Sequence, residues 1–482
     1  MKEVKNLPVL KTDAYKIGHV HLYPKNLAKI YSTLIPRDNT FYPWSNEMVV
    51  FGYQMFVKKL VQDFNDNFFN QPLEDVLYTY ERTIKSILGG KNANSEHIKE
   101  LYEYGRLPIR IKALPEGTLA PMKVPVLTIE NTDPRFPWLP NFLETMLLSE
   151  TFVTSTVATA AHDFRKIAEK YADKSADDKE YIDFQFHDFS ERGQHGNEAS
   201  ILSGLAHLTS FKGSDILQAA TAAEEFYGTN LDEQASASAS VLASEHSVME
   251  AYGKNQYKTY ETLINQNPNG ILSVVSDTYD YWEVINDVLP TFKDKIMARN
   301  GKLVIRPDSG DMKENIVGTL KSLWETFGGT INSKGYKVLD SHVGLIYGEG
   351  ITLDNVEEIF DAMLENGFSA ENIVLGVGAY VYSVLVSRDS FAQAIKAQVA
   401  VFEDGTEKLI YKDPKTDTKH LKRSLKGAVA VVIRDGKYEA IDNLTLEEAE
   451  QVKGNKLQTI FEDGVIKNTQ TLDEIRKRLE IK

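Results

Sequence analysis

The chain has 482 residues, a net charge of -15 and no cysteine. The lack of cysteine excludes disulfides, thiolate catalysis and cysteine-ligated metal sites, and the acidic balance argues against a general nucleic-acid binder, which needs a broad basic face. No stretch approaches the ~18 consecutive apolar residues of a membrane helix, and the N-terminus lacks a secretory apolar core, so we expect a cytoplasmic protein of two or three domains without membrane contact.

The N-terminal third predicts a mixture of strands and helices. Residues 108–130, PIRIKALPEGTLAPMKVPVLTIE, are strand-like runs separated by Pro and Gly turns, with no helix between them. A long helical region follows at 138–172 and connects this part of the chain to the next.

From about residue 180 to 400 one unit recurs, in which an apolar strand ends in polar residues and a helical segment follows. The strand segments are IDFQFHDFSERG (182–193), LTSFKGSD (208–215), ILSVVSDTYD (271–280), KLVIRPDSG (302–310), VGLIYGEG (343–350), NIVLGVGAY (372–380) and AQVAVFEDG (397–405). Strands that alternate with helices predict βαβ units and a parallel sheet. A doubly wound open sheet is the alternative to a barrel, but the glycine motifs of Rossmann and P-loop proteins are absent.

After about residue 400 the pattern changes again. VFEDGTEKLIYKD and AVAVVIRDGKYEAI each predict a hairpin with an Asp-Gly turn. We therefore predict an α/β fold with a (β/α) barrel-like catalytic domain at 151–399, and an α+β domain built from both chain ends, 1–150 and 400–482.

Polar residues collect at the ends of the predicted barrel strands, where barrel enzymes place their active sites. Pro307 cannot donate to a sheet and should end its strand, so Arg306 and Asp308 are offered together. Each such position taken alone is consistent with a capped turn. Their recurrence favours an active site formed by Asp188 and Arg192, Asp215, Ser276 and Asp277, Arg306 and Asp308, and Gly348 and Glu349.

Three further features have both a chemical and a structural interpretation. His246, between Glu245 and Ser247, is either a general base or phosphoryl-accepting nucleophile, or an ordinary surface histidine. Phe189 either stacks on an aromatic ligand or fills the core. The glycine-rich turn GVGAY (376–380) either cradles a phosphate or only forms a tight βα turn, while His187 and His195 match no metal-ligand spacing.

Short motifs are distributed along nearly the whole chain: TDAYKIGH (12–19), HDFSERG (187–193), HLTSFKGSD (207–215), SEHS (244–247), SVVSDTYD (273–280), VIRPDSG (304–310), NSKGYKVL (332–339), YGEG (347–350), SRD (387–389), YKDP (411–414) and LDEIRKRL (472–479). In this order they resemble the motifs of the nicotinamide phosphoribosyltransferase family, whose members are type II phosphoribosyltransferases. The resemblance implies phosphoribosyl transfer from 5-phosphoribosyl 1-pyrophosphate to nicotinamide in NAD biosynthesis.

The resemblance also implies roles for individual residues. Phe189, with Tyr15 from the other subunit of a homodimer, would stack on the pyridine ring, and Asp215 would accept a hydrogen bond from the carboxamide. His246 would be phosphorylated by ATP, with Asp277 orienting its ring and Glu245 adjacent; Mg2+ would accompany the phosphorylated ligands, and no residue is assigned to a metal site. Asp308 would lie near the reacting centre, and the other substrate-binding residues would be Arg37, Arg192, Ser240, Ser273, Arg306, Gly348, Glu349, Gly378, Ala379, Arg388, Lys396 and Lys419.

Three departures from the family pattern concern the substrate pocket. Glu349 stands where the family usually has Asp, Ala379 interrupts a glycine run, and Ser190-Glu191 replaces Gly-Tyr beside the stacking Phe. The nearest alternative function is that of a nicotinate phosphoribosyltransferase. Asp215 speaks against it, because a carboxylate attracts an amide and repels the carboxylate of nicotinate.

Overall fold

The protein is described by a computed structural model that covers residues 2–412, 416 and 425–481. The chain forms two compact units. The first comprises the residues up to Thr159 together with Glu225–Gly228 and Val386–Leu479. The second comprises Ala160–Glu224, Thr229–Leu385 and the chain end from Glu480. The domain boundaries expected near 150 and 400 stay a prediction, because compactness alone does not show which segments fold independently.

The described residues form both strands and helices. The strands are β1 (Leu27–Ile35), β2 (Glu47–Val49), β3 (Ile109–Ala113), β4 (Leu119–Pro121), β5 (Leu127–Asn131), β6 (Phe186–Asp188), β7 (Leu242–Ala243), β8 (Leu272–Val275), β9 (Leu303–Arg306), β10 (Gly329–Ile331), β11 (Lys337–Leu339), β12 (Val343–Tyr347), β13 (Ile373–Val377), β14 (Ala394–Phe402), β15 (Glu407–Leu409), β16 (Ala428–Arg434), β17 (Lys437–Leu444), β18 (Gln458–Glu462) and β19 (Val465–Ile466). The α-helices are α1 (His19–Leu22), α2 (Tyr53–Phe64), α3 (Leu73–Leu88), α4 (Glu96–Tyr104), α5 (Leu139–Phe142), α6 (Glu144–Ser175), α7 (Asn197–His207), α8 (Leu217–Tyr227), α9 (His246–Tyr252), α10 (Gln256–Gln266), α11 (Tyr281–Glu283), α12 (Leu289–Thr291), α13 (Lys293–Met297), α14 (Met312–Phe327), α15 (Val356–Glu365), α16 (Leu446–Gln451) and α17 (Leu472–Leu479).

The second unit contains a parallel sheet with the strand order β6–β13–β12–β9–β8–β7. Isolated parallel bridges, Asp188 with Ser214 and Gly213 with Ala239, continue the hydrogen bonding from β6 to the segment that leads into β7. The two edges of the sheet are thereby connected, and the parallel segments form a barrel-like ring. The predicted α/β barrel-like fold is confirmed.

Burial explains why these segments form strands and helices. β8 and β12 are buried along their whole length, as strands covered on both faces require. Helix α14 buries Ile316, Leu320, Leu323 and Phe327, which recur at three- and four-residue spacing on one face. Its N-cap is Asp311, whose Oδ1 accepts a hydrogen bond of 2.8 Å from the Glu314 amide. β9 ends at Arg306, as Pro307 predicts.

The first unit is built on an antiparallel sheet with the order β15–β14–β1–β5–β3–β18–β19, so it takes strands from both ends of the chain. β16 and β17 form a separate hairpin whose turn residues Asp435 and Gly436 have φ of 49° and 77°. Two positive φ values are what a two-residue hairpin turn demands. Both Asp-Gly hairpins are confirmed, and so is the α+β character of this part.

Two predicted barrel strands differ from expectation. The segment AQVAVFEDG was expected to close the barrel series, but it lies in β14, which pairs antiparallel with β1 and β15. An apolar run alone does not distinguish a parallel from an antiparallel partner, which is why that prediction was wrong. LTSFKGSD forms no extended strand and contributes only the bridges at Gly213 and Ser214. Within the described residues, no helix is long and apolar enough to span a membrane.

Candidate active site

The candidate site of the second unit lies where the parallel segments of the ring end. The turns after these carboxyl ends carry the polar side chains of most sequence-predicted residues, as in other barrel folds. They are Phe189 and Arg192 after β6, Asp215 after the bridge at Ser214, Glu245 and His246 after β7, Asp277 after β8, Asp308 after β9, Gly348 and Glu349 after β12, and Gly378 and Ala379 after β13. Arg306 is the last residue of β9, and Ser240 follows the bridge at Ala239.

Phe189 is seated against glycine backbone. Its amide donates a 3.0 Å hydrogen bond to the carbonyl of Val377, which ties the turn after β6 to β13. A Cβ atom built on Gly376 would lie 2.5 Å from Phe189 Cδ2, and one on Gly348 would lie 3.4 Å from Cε2. The His187 ring packs on Phe189 with centroids 4.6 Å apart and planes inclined by 36°. Phe189 is therefore a fixed aromatic surface for a stacked ring.

Only one of the two carboxylate oxygens of Asp215 accepts hydrogen bonds from the described residues. Its Oδ1 accepts hydrogen bonds from His187 Nε2 at 2.8 Å and from Ser240 Oγ at 2.6 Å. Its Oδ2 accepts none among the described residues, and half of the side chain is exposed. Burial raises the pKa of Asp215, but the bonds from His187 and Ser240 and the charge of Arg306 outweigh it, so the pKa lies below its usual value. His187 thus contacts both this anionic acceptor and the Phe189 ring.

His246 begins α9 and faces two carboxylates. Its Nδ1 lies 3.1 Å from Thr278 Oγ1, while Nε2 lies 3.8 Å from Asp277 Oδ1 and 3.6 Å from Asp308 Oδ2. The ring is partly exposed, with 43% of the side chain accessible. The hydrogen bond that orients the ring joins Nδ1 to Thr278, whereas Asp277 is beyond hydrogen-bond distance. The orienting role given to Asp277 stays a prediction.

Asp277 connects this cluster to the turn after β9. Its Oδ2 accepts hydrogen bonds from the Asp308 amide at 3.1 Å and from Ser309 Oγ at 2.5 Å. Its Oδ1 is buried and has no hydrogen-bond partner among the described residues, although His246 Nε2 is near. Glu245 is the N-cap of α9, and its carboxylate accepts a hydrogen bond from Ser247. Hydrogen bonds from neighbouring residues of the site therefore hold the carboxylates of Asp277 and Glu245 in place.

The guanidinium group of Arg306 uses only part of its hydrogen-bonding capacity within the described residues. Its Nη2 donates to the Ser244 carbonyl at 3.1 Å, and Nε is buried without a hydrogen-bond partner in the part of the chain that the structure describes. The Ser244 amide in turn donates to the carbonyl of Ser273 at 2.9 Å, so Ser273 supports this wall from within β8. A guanidinium with unused donors suits a phosphate or carboxylate. Arg192 is exposed in a short 3-10 helix.

The glycine-rich turn after β13 accommodates the alanine that departs from the family pattern. A Cβ atom built on Gly193 would lie 2.2 Å from the Cβ of Ala379. Ala379 therefore fits because residue 193 has no side chain, and the turns after β6 and β13 pack closely. Around Gly378 nothing lies within 4 Å of an added Cβ, so backbone at this position is open to a ligand. Glu349 is exposed.

The remaining predicted site residues belong to the first unit. Tyr15 is exposed, and Arg388 pairs with the neighbouring Asp389 at 2.7 Å. Arg37 Nε donates to a backbone carbonyl at 2.7 Å. Burial lowers the pKa of Lys396, and the positive charge of Arg37 contributes to the same shift. Lys419 lies outside the described residues.

A metal site made of protein ligands alone is not found among residues 2–412, 416 and 425–481, where no group of three or more His, Asp or Glu side chains is placed to hold an ion. Mg2+ normally binds through one or two carboxylates together with water and substrate phosphates. Asp308, with 41% of its side chain exposed, is a carboxylate able to take part in such a site.

Comparison with known proteins gives a match along the whole chain. The chain is 37% identical to the nicotinamide phosphoribosyltransferase of Acinetobacter baylyi, covering 98% of this chain and 97% of the relative. It is 32% identical to the proteins of that name from Xanthomonas campestris pv. campestris, over 97% of each chain, and from Mycoplasma pneumoniae, over 85% of this chain and 92% of the relative. The chain belongs to the nicotinamide phosphoribosyltransferase family. The resemblance seen in the sequence is confirmed.

Models of protein families agree with this membership. Residues 7–111 match the nicotinamide phosphoribosyltransferase N-terminal domain, and residues 184–478 match the nicotinate phosphoribosyltransferase (NAPRTase) family. Among solved structures, the fold resembles a nicotinate-nucleotide pyrophosphorylase from Pyrococcus furiosus, with a TM-score of 0.60, 18% identity and coverage of 99% of this chain and 96% of that one. It also resembles human nicotinic acid phosphoribosyltransferase, with a TM-score of 0.59, 16% identity and coverage of 97% and 92%.

Two residues of the site were not identified from the sequence. His187 was considered only as a metal ligand, yet it contacts both Phe189 and Asp215. Its position two residues before Phe189 was the available clue, because residues i and i+2 of an extended segment share a face. Gly376 was noted only as part of a turn, although its missing side chain makes room for Phe189. Ser240, expected in the phosphoribosyl pocket, donates to Asp215.

Proposed function

We propose that the chain transfers the phosphoribosyl group of 5-phosphoribosyl 1-pyrophosphate to nicotinamide, giving nicotinamide mononucleotide and pyrophosphate in NAD biosynthesis. The observation that carries the proposal is that His187 joins the anionic Asp215 to the Phe189 ring, with a hydrogen bond to one and a ring contact to the other. Full-length similarity to relatives named nicotinamide phosphoribosyltransferase supports the same reaction.

The choice of base follows from Asp215. A pyridine ring stacked on Phe189 presents its 3-substituent at the edge of the stack, where Oδ2 is available as an acceptor. The amide nitrogen of nicotinamide donates to this oxygen, and the carboxylate of nicotinate meets a like charge. A charge-assisted hydrogen bond of this kind is stronger than a neutral one, so one side chain both attracts the amide and rejects the acid.

The transfer itself requires positioning and charge neutralisation. The bond between the ribose and pyrophosphate breaks as the pyridine nitrogen bonds to the sugar carbon, through a transition state with positive charge on the ring oxygen and anomeric carbon. Arg306, with free guanidinium donors, binds a phosphate group, and Asp308 lies on the ribose side of the reacting bond, where a carboxylate stabilises positive charge. The open backbone at Gly378 accommodates a phosphate.

We further propose that ATP phosphorylates His246. A ring that donates from Nδ1 to Thr278 keeps its lone pair on Nε2, so Nε2 is the nucleophile that attacks the γ-phosphate while ADP leaves. The neighbouring carboxylates of Asp277 and Asp308 stabilise the positive charge that the ring acquires when Nε2 is phosphorylated. The same carboxylates repel the incoming phosphate. Mg2+ bound by phosphate oxygens and Asp308 would supply the neutralising charge, and hydrolysis of the phosphohistidine would drive the overall reaction forward.

Residues of the first unit complete the proposal. We propose that the protein is a cytoplasmic homodimer in which the partner copy supplies Tyr15 to the second face of the base. The partner copy would also contribute to phosphate binding through the cations Arg37, Arg388, Lys396 and Lys419. The exposure of Tyr15 supports its availability to a partner copy.

Nicotinate is the second candidate base, because the matching family model is described as that of nicotinate phosphoribosyltransferases. The test is pyrophosphate release by the purified protein with Mg2+, ATP, 5-phosphoribosyl 1-pyrophosphate and one base at a time. We expect release with nicotinamide and little with nicotinate. Release with nicotinate alone would replace the proposed base, and no release with either would refute a transferase function.

A further inference from the structure

His207 and Tyr382 form a hydrogen-bonded pair inside the second unit, and both residues are fully buried. Nδ1 of His207 lies 2.8 Å from the Tyr382 hydroxyl, and Nε2 lies 2.9 Å from the carbonyl oxygen of Gly213. A carbonyl oxygen only accepts hydrogen bonds, so Nε2 carries a hydrogen and, in the neutral ring, Nδ1 accepts the hydroxyl hydrogen of Tyr382. Tyr382 is thereby connected to the backbone of Gly213 through one orientation of the His207 ring.

Gly213 begins the short segment that ends in Asp215, the carboxylate proposed to select the base. The carbonyl oxygen of Gly213 also accepts a 3.0 Å hydrogen bond from the Asp188 amide, and the Asp215 amide donates to the Asp188 carbonyl at 3.2 Å. Within the described residues this segment forms isolated bridges at Gly213 and Ser214 in place of an extended strand. Because it has so few ladder hydrogen bonds, its position depends on additional contacts, and His207 Nε2 supplies one of them.

Tyr382 itself lies in a single π-helical turn, Tyr380–Val384, just beyond the glycine-rich turn after β13. Its amide donates to the Gly378 carbonyl at 3.4 Å, and its carbonyl accepts a 3.2 Å hydrogen bond from Gln194 Nε2. These backbone contacts do not involve the hydroxyl, so a variant that lacks only the hydroxyl can keep them. Such a variant therefore separates the connection to Gly213 from the connection to the open backbone at Gly378.

We propose that Tyr382 is a positioning residue for the base, which acts through His207 to hold the segment that carries Asp215. The proposal rests on the proposed function, since it concerns the site that takes the base. Without the hydroxyl, the buried Nδ1 of His207 loses the donor that it has in the structure, and the ring loses a contact that fixes its orientation. The hydrogen bond to Gly213 then weakens, and Asp215 is held less firmly in the position that accepts from the carboxamide.

Measurements at pH 8 keep ionisation out of the comparison. Burial raises the pKa of Tyr382 well above its usual value, and the charge of Asp188 contributes, so the hydroxyl keeps its hydrogen. Burial raises the pKa of Asp188 itself to about 6, so its carboxylate is ionised at pH 8. Differences between variants at this pH therefore report lost hydrogen bonds and not a changed protonation state.

The test measures KM for each substrate in Tyr382→Phe. We expect the KM for nicotinamide to rise by about tenfold, because a positioning group has been displaced, while the KM for 5-phosphoribosyl 1-pyrophosphate changes little. His207→Leu, which removes both hydrogen bonds of the ring, should raise the KM for nicotinamide at least as much. His207→Gln should stay close to the unmodified protein, because an amide side chain can donate to Gly213 and accept from Tyr382.

A double variant shows whether Tyr382 acts through His207. If both residues act through the same hydrogen bonds, Tyr382→Phe combined with His207→Leu should have the KM for nicotinamide of His207→Leu alone. If the residues act independently, the two increases should multiply. A purely structural loss would not produce this pattern together with an unchanged KM for 5-phosphoribosyl 1-pyrophosphate.

Tyr171→Phe is the matched control in the same unit. Tyr171 is a buried tyrosine whose hydroxyl donates to Asp361 Oδ1 at 2.7 Å. This bond joins α6 to α15 and involves no residue of the candidate site. The control variant should therefore keep the KM for both substrates, whatever the change in its Tm.

A normal KM for nicotinamide in Tyr382→Phe would overturn the inference, and so would an equal rise for both substrates or multiplied increases in the double variant. If Tyr382→Phe folds poorly, NMR of the unmodified protein with 15N-labelled histidine still tests the pair. The signals that disappear in His207→Gln should show a hydrogen on Nε2 and none on Nδ1, and any other state would overturn the inference. Inactivity of the unmodified protein with either base would refute the proposed function and the inference together, whereas these results in an active protein refute the inference alone.

Discussion

Gly376 offers a test of the Phe189 surface that changes no polar group. A methyl group at this position would lie 2.5 Å from Phe189 Cδ2, 2.7 Å from Cε2 and 2.8 Å from the Gly348 backbone. Carbon atoms in contact are normally separated by about 3.5–4 Å, so the ring must move by about 1 Å. The Gly348 backbone leaves the methyl group no room on that side, so the Phe189 ring must be displaced from its present position.

Gly376→Ala should strongly impair the use of nicotinamide and have little effect on the use of 5-phosphoribosyl 1-pyrophosphate. Overpacking of this kind destabilises a protein by about 1–3 kcal/mol, and a displacement near 1 Å in a positioning group reduces turnover up to about 100-fold. We expect kcat/KM for nicotinamide to fall by about 10- to 100-fold, while the KM for 5-phosphoribosyl 1-pyrophosphate changes little. Steady-state kinetics with each substrate varied in turn measure both effects.

Gly344→Ala is the matched control for this prediction. Gly344 lies on the neighbouring strand β12, and its added methyl would meet mainly the flexible side chain of Lys302 at 3.1 Å. This variant should retain nearly normal kinetics. Equal losses in both variants, or a normal kcat/KM for nicotinamide in Gly376→Ala, would show that Phe189 does not bind the base.

Three further predictions concern single carboxylates and the histidine. Asp215→Asn should lower kcat/KM for nicotinamide by about 10- to 100-fold, because a charged acceptor worth about 1.5–3 kcal/mol is lost, and full retention in steady-state kinetics would refute its role. His246→Ala should abolish ATP stimulation and phosphate incorporation from labelled ATP while ATP-independent transfer persists; stimulation that survives would exclude a phosphohistidine at this position. Burial raises the pKa of Glu116 from 4.5 to about 7, so the stability that its proton contributes is complete below pH 4.5 and is lost as the pH rises through about 7. Glu116→Gln should therefore increase the free energy of unfolding at pH 8 by up to about 3 kcal/mol, which thermal denaturation would show as a higher Tm, and should have little effect at pH 4.5. A Tm difference that is the same at both pH values would contradict this.

Local patterns in the sequence were sufficient where turn chemistry decides the structure. Pro307 ended β9 and the Asp435-Gly436 turn formed its hairpin, because each depends on the backbone preferences of one or two residues. The apolar run of β14 was assigned to the wrong sheet, since pairing depends on a partner distant in the chain. The ring is completed by bridges at Gly213 and Ser214 that are too short to produce any periodic pattern.

In the candidate site, too, local features were visible in the sequence, whereas contacts between distant segments were not. Asp215, Asp277 and Arg306 were recognised because polar residues at strand ends are visible in the sequence. The hydrogen bond from His187 to Asp215 joins residues 28 positions apart, and the contact of Gly376 with Phe189 depends on the register of two parallel strands. Such relationships arise from tertiary packing, so they could be found only in the structure.

We propose that the base is nicotinamide and that the Asp215 carboxylate selects it. The most direct measurement is a competition in which the purified protein receives equal amounts of nicotinamide and nicotinate with limiting 5-phosphoribosyl 1-pyrophosphate at pH 8. The ratio of the two mononucleotides, separated by chromatography, equals the ratio of the kcat/KM values. We predict that nicotinamide mononucleotide dominates by at least about tenfold; equal amounts, or an excess of nicotinate mononucleotide, would contradict the role of Asp215 and the proposed base.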